Sequence, residues 1–507
     1  MNRILSSLLI LSILAVPRLL PAQPQQIYYT EPEREDSRRT NFEIIGKING
    51  NFLIFKNNNS TSAICIYDNN MKILQRVPLT FMPDRYINVD FVAYPDYFYM
   101  IWEHQKKNIV HISAIKLDGL GQKMGDPVEL DTTQVGLGNS NKIYTTVVSE
   151  NKQRISILKI NSKNPKSYLF TTFLYDAQLG LLDRHRIYLP MLDERNELFT
   201  DFMVDNEGGL VFGKFLKSGS NDYIYRVTLV TKGPQADTFA IRDMGSADRV
   251  LDEIKIKVDN NNNRYIFTGF YYTQKKGNIE GFYSVIWDKA SDSRLKETVT
   301  IFNAELRAVA KSTDASVKMA FNDYFIKHII TKKDGGFLVV SESMYTTSRG
   351  NMFNRWDYMY NPYAMGGYSP YYYNPYYNPW NRNYGNYATR YHAENIMVLS
   401  FDKEGNLLWS NVIPKSQFDD ETENLISHEV VNTGGELHFL FNQYERRNLL
   451  LNDESISPDG KITRYPTLRN LDKGYDFMAR YGKQVSSWEA IIPCMYRNYL
   501  CFAKVDF

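Results

Sequence analysis

Three cysteines in 507 residues are too few for a disulfide scaffold, so an apolar core must hold the chain together. No charge of one sign dominates: 59 basic residues face 57 acidic ones, which argues against a nucleic-acid binder that works by neutralising phosphates. Apolar residues at helical spacing are scarce, and only Ala304 to Met319 approaches three turns of helix. Motifs that carry chemistry are missing as well. There is no Gly-x-Ser-x-Gly elbow, no phosphate-binding loop, and no His-x-x-x-His or paired-cysteine spacing. The seven histidines, His104, His111, His185, His328, His392, His428 and His438, are scattered and read as structural residues of sheets; no metal site and no cofactor are expected. The run Asp259-Asn260-Asn261-Asn262-Asn263 lacks the alternating acids and distal glutamate of a calcium loop and reads as a hairpin turn.

The first residues place Arg3 before an apolar run from Ile4 to about Val16, followed by Pro17-Arg18 and a small residue at Ala22. This pattern reads as a signal peptide over residues 1–22, with export to the periplasm or outer membrane. An uncleaved anchor is the alternative, but the run is shorter than the roughly 20 residues that a span needs, so no transmembrane span is expected after cleavage. Residues 23–41 read as an N-terminal linker.

From residue 42 to 507 the chain falls into units of roughly 45 to 60 residues, each a set of short β-rich runs divided by turn residues. Leu198 to Val204 is apolar and aromatic, Asp205-Asn206-Glu207-Gly208-Gly209 is a turn, and Leu210 to Phe215 is a second strand. Tyr223 to Leu229 and Asp237 to Ile241 complete four antiparallel strands. Equivalent turns recur at Ile48-Asn49-Gly50, Tyr94-Pro95-Asp96, Lys333-Asp334-Gly335-Gly336 and Thr433-Gly434-Gly435. The period predicts an all-β fold, a β-propeller of seven or eight blades, with two tandem β-sandwiches as the alternative. Asp402 to Trp409, an Asp-x-x-Gly-x-x-x-Trp sequence, resembles the repeats of quinoprotein-like secreted bacterial β-propellers. That resemblance implies the fold and no cofactor chemistry. Trp102, Trp287, Trp409 and Trp488 fall in or beside strand-like segments and read as packing residues.

One unit is interrupted at residues 344–394 by a tract in which tyrosine, asparagine, proline and glycine displace nearly every aliphatic residue. Asn361-Pro362, Asn374-Pro375 and Asn378-Pro379 each favour a turn, because proline fixes its own φ and disfavours helix in the residue before it. Such a tract builds no core and reads as a long loop insertion. Its rings, on Trp356, Tyr358, Tyr360, Tyr363, Tyr368, Tyr371, Tyr372, Tyr373, Tyr376, Tyr377, Trp380, Tyr384 and Tyr387, are the expected binding residues. Tyrosine supplies large contact area at low entropic cost, which suits recognition, although a disordered loop of no defined role has the same composition.

Without a reaction motif, the expectation is a non-enzymatic protein-protein interaction module whose partner is an envelope protein or outer-membrane complex. A glycan-binding surface is the alternative, and a hydrolase would need converging carboxylates that sequence cannot display. A hairpin with Arg497-Asn498 at its turn would set Cys494 opposite Cys501, making these two the disulfide candidates, with Cys65 as competitor or all three as packed thiols. Non-reducing peptide mapping checks the pairing: a Cys494–Cys501 bridge is expected, three free thiols would remove it, and a bridge to Cys65 would replace it.

Overall fold

The second strand of the first unit holds a continuous apolar run because both of its faces are covered. Phe52, Leu53, Ile54 and Phe55 of the strand Asn51–Asn58 are fully buried, whereas the fourth strand of the same sheet, Ile73–Pro78, is almost wholly exposed. A sheet sandwiched between neighbours loses the alternation that a half-solvated sheet would show. The computed structural model describes residues 26–33, 40–58, 61–136, 142–164, 166–193, 196–218, 223–245, 248–275, 277–311, 316–348, 372–373, 389–420, 422–445, 448–466, 474–497 and 499–507.

Within these residues the strands form seven hydrogen-bonded antiparallel sheets, most of four strands. One sheet has nine strands and divides at the single pair Ile224↔Leu251 into two meanders, so the chain runs through eight in succession. In chain order, sheets 1 to 8 span residues 40–78, 88–134, 144–190, 197–243, 250–301, 324–419, 428–464 and 475–506. The eighth takes its last strand from the other end of the chain: Gln26–Tyr29 pairs with Tyr499–Asp506, so part of the segment read as a linker is a strand.

Each main core cluster lies between two consecutive sheets. Leu53 and Phe55 of sheet 1 pack with Phe98 and Trp102 of sheet 2, and Phe170 of sheet 3 packs with Phe212 of sheet 4. Phe401 of sheet 6 stacks on Phe282 of sheet 5 at 5.2 Å between ring centroids. The series returns to its start, because Phe502 of sheet 8 meets Phe42 of sheet 1 edge to face at 5.1 Å. Lys483 of sheet 8 adds a polar link, donating to the carbonyl of Ile44 at 2.8 Å. Two tandem sandwiches would not join their last sheet to their first.

Asp402 to Trp409 turns out to be one of these joints. The Asp402 carboxylate accepts the amides of Glu404 and Asn406, closing the turn, and the Trp409 indole donates to the Pro458 carbonyl in sheet 7 at 3.1 Å. Gly460, at φ +88°, lets that ring approach: a Cβ there would stand 2.8 Å from Trp409.

Ala304 to Met319 holds the helix Ala304–Ala310 and the 3-10 turn Val317–Met319. Asn303 caps the helix by accepting the Leu306 amide at 2.8 Å. The strands flanking the aromatic tract, Phe337–Ser348 and Thr389–Phe401, stay paired as far as Ser348↔Thr389, which narrows the interruption. Within the tract, Tyr372–Tyr373 pairs with Phe42–Glu43 at the edge of sheet 1, so its backbone reaches from sheet 6 to the first strand of sheet 1.

If closure between sheets 8 and 1 carries stability, Phe502→Ala should cost about 3–5 kcal/mol in urea unfolding. Ile73→Ala, at a side chain 53% exposed, should change stability by less than about 0.5 kcal/mol.

Candidate functional site

The first strands of the sheets carry charge among their apolar residues, as in Asp252, Glu253 and Lys255, Lys327 and His328, and His428 and Glu429. Some of these groups staple adjacent sheets. Glu253 accepts the Ile326 amide of the next sheet at 2.7 Å, and Glu103, on the second strand of sheet 2, likewise accepts the Ile143 amide at 3.0 Å. Burial pushes the Glu103 carboxyl up to about 7, against the opposing pull of the Ile143 and Tyr144 amides.

Between sheets 6 and 7 such a staple becomes a cluster. Glu342, in the buried second strand of sheet 6, has no solvent exposure. One carboxylate oxygen receives the Lys415 ammonium at 2.8 Å and His428 Nδ1 at 3.0 Å; the other accepts the Ser427 hydroxyl at 2.5 Å. Lys327 stands 3.8 Å away. Burial alone would raise the Glu342 pKa, but the Lys415 charge and then the interaction with His428 outweigh it and hold the carboxyl well below its usual value. Gln417 braces the group, accepting Lys415 Nζ at 2.7 Å and the Ser427 amide at 2.9 Å.

Backbone irregularities aim these side chains. The pairing of sheet 6 shifts between Ile326↔Ser341 and His328↔Val340, leaving Lys327 as the extra residue of a bulge. A second shift, between Leu251 and Ile254, lies at Asp252 and Glu253 in sheet 5. Bulges re-aim side chains at the cost of one ladder position.

Because the Glu342 carboxylate only accepts, His428 Nδ1 must carry the proton toward it, which leaves Nε2 as a lone pair. That Nε2 is buried and has no hydrogen-bond partner among the described residues. The ring of His328 lies edge-on at 6.3 Å. His328 is itself exposed, yet protein surrounds it so closely that desolvation, with the charges of His428 and Lys327, pushes its pKa down to about 3. Burial likewise lowers His428 despite the attraction of Glu342. Lys255 of sheet 5 also acts on His328 and pairs with Asp201 at 3.4 Å. The arrangement is an imidazole oriented by a buried carboxylate, beside a second, accessible imidazole and several lysines.

Of the expected binding residues, Trp356, Tyr358, Tyr360, Tyr363, Tyr368, Tyr371, Tyr376, Tyr377, Trp380, Tyr384 and Tyr387 lie outside the described residues, and Tyr372 and Tyr373 are placed by backbone alone. Cys494 and Cys501 stand opposite each other in the anticipated register as buried free thiols, their sulfurs 3.3 Å apart, and Cys65 is likewise free. Of the histidines read as structural, His438 pairs with Asp453 at 2.9 Å inside sheet 7, whereas His328 and His428 belong to the cluster. The signal available in sequence was Ser341-Glu342-Ser343, a polar run directly after the apolar Phe337-Leu338-Val339-Val340 of the same strand.

No protein-family model and no curated protein matches this chain. Solved structures that resemble it include prolyl oligopeptidase B from Galerina marginata, at 8% identity and TM-score 0.42, covering 91% of this chain and 56% of that one. An ulvan lyase, at 10% identity and TM-score 0.34, covers 81% of this chain and 90% of its own. A dihydro-heme d1 dehydrogenase, at 11% identity and TM-score 0.33, covers 94% and 71%. This chain therefore spans about half the length of the prolyl oligopeptidase. All three are enzymes, against the expectation of a non-enzymatic interaction module; likeness at these scores carries no argument, and that expectation is corrected on the buried cluster of sheets 6 and 7. The physical reason it misled is that the titratable groups converge from separate sheets, at positions 255, 327, 328, 342, 415 and 428, with no sequence spacing to announce them. Likeness at these scores fixes no chemistry, so the function rests on the cluster.

The histidine shift has a pH signature. Below about pH 6.5 the unfolded chain binds a proton that folded His328 refuses until about 3, so stability falls as pH drops through that window. Glu342, depressed instead, adds stability above the usual carboxylate pKa and loses it as pH falls through its folded value. His328→Gln should flatten the upper part of the acid limb in urea unfolding and leave stability at pH 8 within about 0.5 kcal/mol of the parent.

Proposed function

We propose that the chain is an eight-bladed β-propeller enzyme that cleaves an anionic substrate by acid–base chemistry, through hydrolysis or elimination, at the wall of its central channel. Eight meanders in series, with core clusters shared between neighbours and a closing strand from the other end, support the propeller reading. The aromatic tract is then an insertion between the second and third strands of the sixth blade.

The observation that carries the chemistry is the unpartnered His428 Nε2 behind a buried, orienting Glu342. A carboxylate that fixes the tautomer of an imidazole and leaves its far nitrogen bare is the geometry of a general base. In the free protein, burial keeps both imidazoles neutral and weakly basic. A bound anion would raise both pKa values toward neutrality, because its negative charge favours the imidazolium. The cluster thus responds to the charge of its substrate, and Lys255, Lys327 and Lys415 favour the same sign.

Incubation with carboxylated and sulfated polysaccharides and with acidic peptides tests this reading. New reducing ends or free amines would report hydrolysis, and conjugated unsaturation would report elimination. One signal is expected, reduced about 10²- to 10⁴-fold by His428→Gln at unchanged melting temperature. Silence with every polymer, or full activity in the variant, would contradict the proposal.

A further inference from the structure

Two strand ends in sheets 6 and 7 reverse the usual polarity. In Leu407–Asp419, Lys415 and Gln417 are buried while Phe418 is 44% exposed; in Leu437–Glu445, Asn442 is buried while Tyr444 is 57% exposed. Holding large rings in water while amides and an ammonium are buried brings no folding advantage, and is the mark of a surface kept for contact.

The two rings meet across the joint between the sheets, with centroids 6.4 Å apart and planes 26° from parallel. Both line a cavity of ≈ 180 Å³, together with Leu425, Leu449, Gln417 and Asp420 among others. A cavity of about 150 Å³ accepts a benzene-sized molecule, so this one suits a single six-membered ring and excludes a folded chain. Gln417 joins it to the candidate site, because the same side chain accepts Lys415 Nζ and the Ser427 amide beside Glu342.

Polar groups at the cavity divide into those already used and one open pair. Gln417 is committed to the cluster and to the Asn442 carbonyl, and Asp419 takes the Thr422 amide at 3.1 Å, so neither is asked to bind. Asp420 is held by Arg390, which donates to both carboxylate oxygens through Nε and Nη2 and lies 4.4 Å over the Phe418 ring. These two side chains are 59% and 46% exposed. A guanidinium has five N–H groups and a carboxylate oxygen accepts more than one donor, so the pair offers water-facing donors and acceptors side by side with no net charge.

We propose that the cavity is a substrate subsite for one uncharged pyranose ring, its C–H face against Tyr444 and Phe418 and its hydroxyls on Asp420 and the Arg390 partner. Aromatic faces carry the negative side of the ring quadrupole, which suits C–H bonds, and a hydroxyl both donates and accepts, which suits a carboxylate–guanidinium pair. A flat aromatic ligand would use the rings alone. A carboxylated sugar would bring its charge beside Asp419, where burial and then that carboxylate already hold the Asp476 pKa above its usual value. The inference rests on the enzymatic reading in taking the sugar as part of the substrate, a neutral residue of an otherwise anionic polysaccharide rather than of an acidic peptide; the binding itself invokes none of the imidazoles.

Saturation-transfer NMR titration of the full chain with cellohexaose and maltohexaose tests it, with p-cresol as the apolar probe and hexagalacturonate as the anionic one. Saturable binding of at least one neutral oligosaccharide is expected, weakened about tenfold by Tyr444→Ala at unchanged melting temperature and restored by Tyr444→Phe, which returns the ring without the hydroxyl. Absence of binding by both neutral oligosaccharides, equal binding of p-cresol or hexagalacturonate, or indifference to Tyr444→Ala would overturn it. The two readings fail separately: ring-dependent binding without turnover of any polymer upholds the subsite and removes the channel chemistry, whereas turnover without that binding removes the subsite alone.

Discussion

Every sheet in this molecule depends on the burial of both its faces by the sheets before and after it. The second and third strands of these sheets, rich in Phe, Ile, Leu and Val, have no solvated side to offer, so the series is stable only if its ends meet. They do so twice, through the Phe42–Phe502 contact and through the pairing of Gln26–Tyr29 with Tyr499–Asp506. The paired strand also removes an exposed edge that would otherwise invite association with other chains.

Closure has a second consequence. Most charged groups of the first strands are buried, as Glu43, Asp252, Glu253, His428 and Glu429 are, whereas His328 is exposed. Desolvation nonetheless lowers the His328 pKa. Glu342 shows what the fold requires of a fully buried charge: two cationic or proton-donating neighbours on one oxygen and a hydroxyl on the other. Isolating His428 Nε2 is then a by-product of satisfying that carboxylate.

Sheet, strand and turn positions were legible because short apolar runs bounded by Asp/Asn-Gly turns carry a local signal of their own. Leu210 to Phe215, Phe337 to Val340 and the Cys494–Cys501 hairpin all fall where the pattern places them. Gln26–Tyr29 escaped notice because a four-residue strand carries almost no periodic signal, and its partner lies at the opposite end of the chain. Leu198 to Val204 reads as one strand but forms two short pieces, Glu197–Phe199 and Met203–Val204, both paired with Leu210–Lys217. The site was less legible still: one bulge sets Lys327 and His328, a separate sheet supplies His428, and no local spacing encodes that meeting.

The central claim is that the fold holds accessible His328 and buried His428 neutral beside an ionised Glu342. Imidazole NMR titration of the folded protein measures this directly, with His328→Gln and His428→Gln assigning the two signals. The account predicts that His328 stays neutral until the pH approaches about 3 and that His428 also titrates below the usual histidine value. Ordinary titration of both rings near pH 6.5 would contradict it.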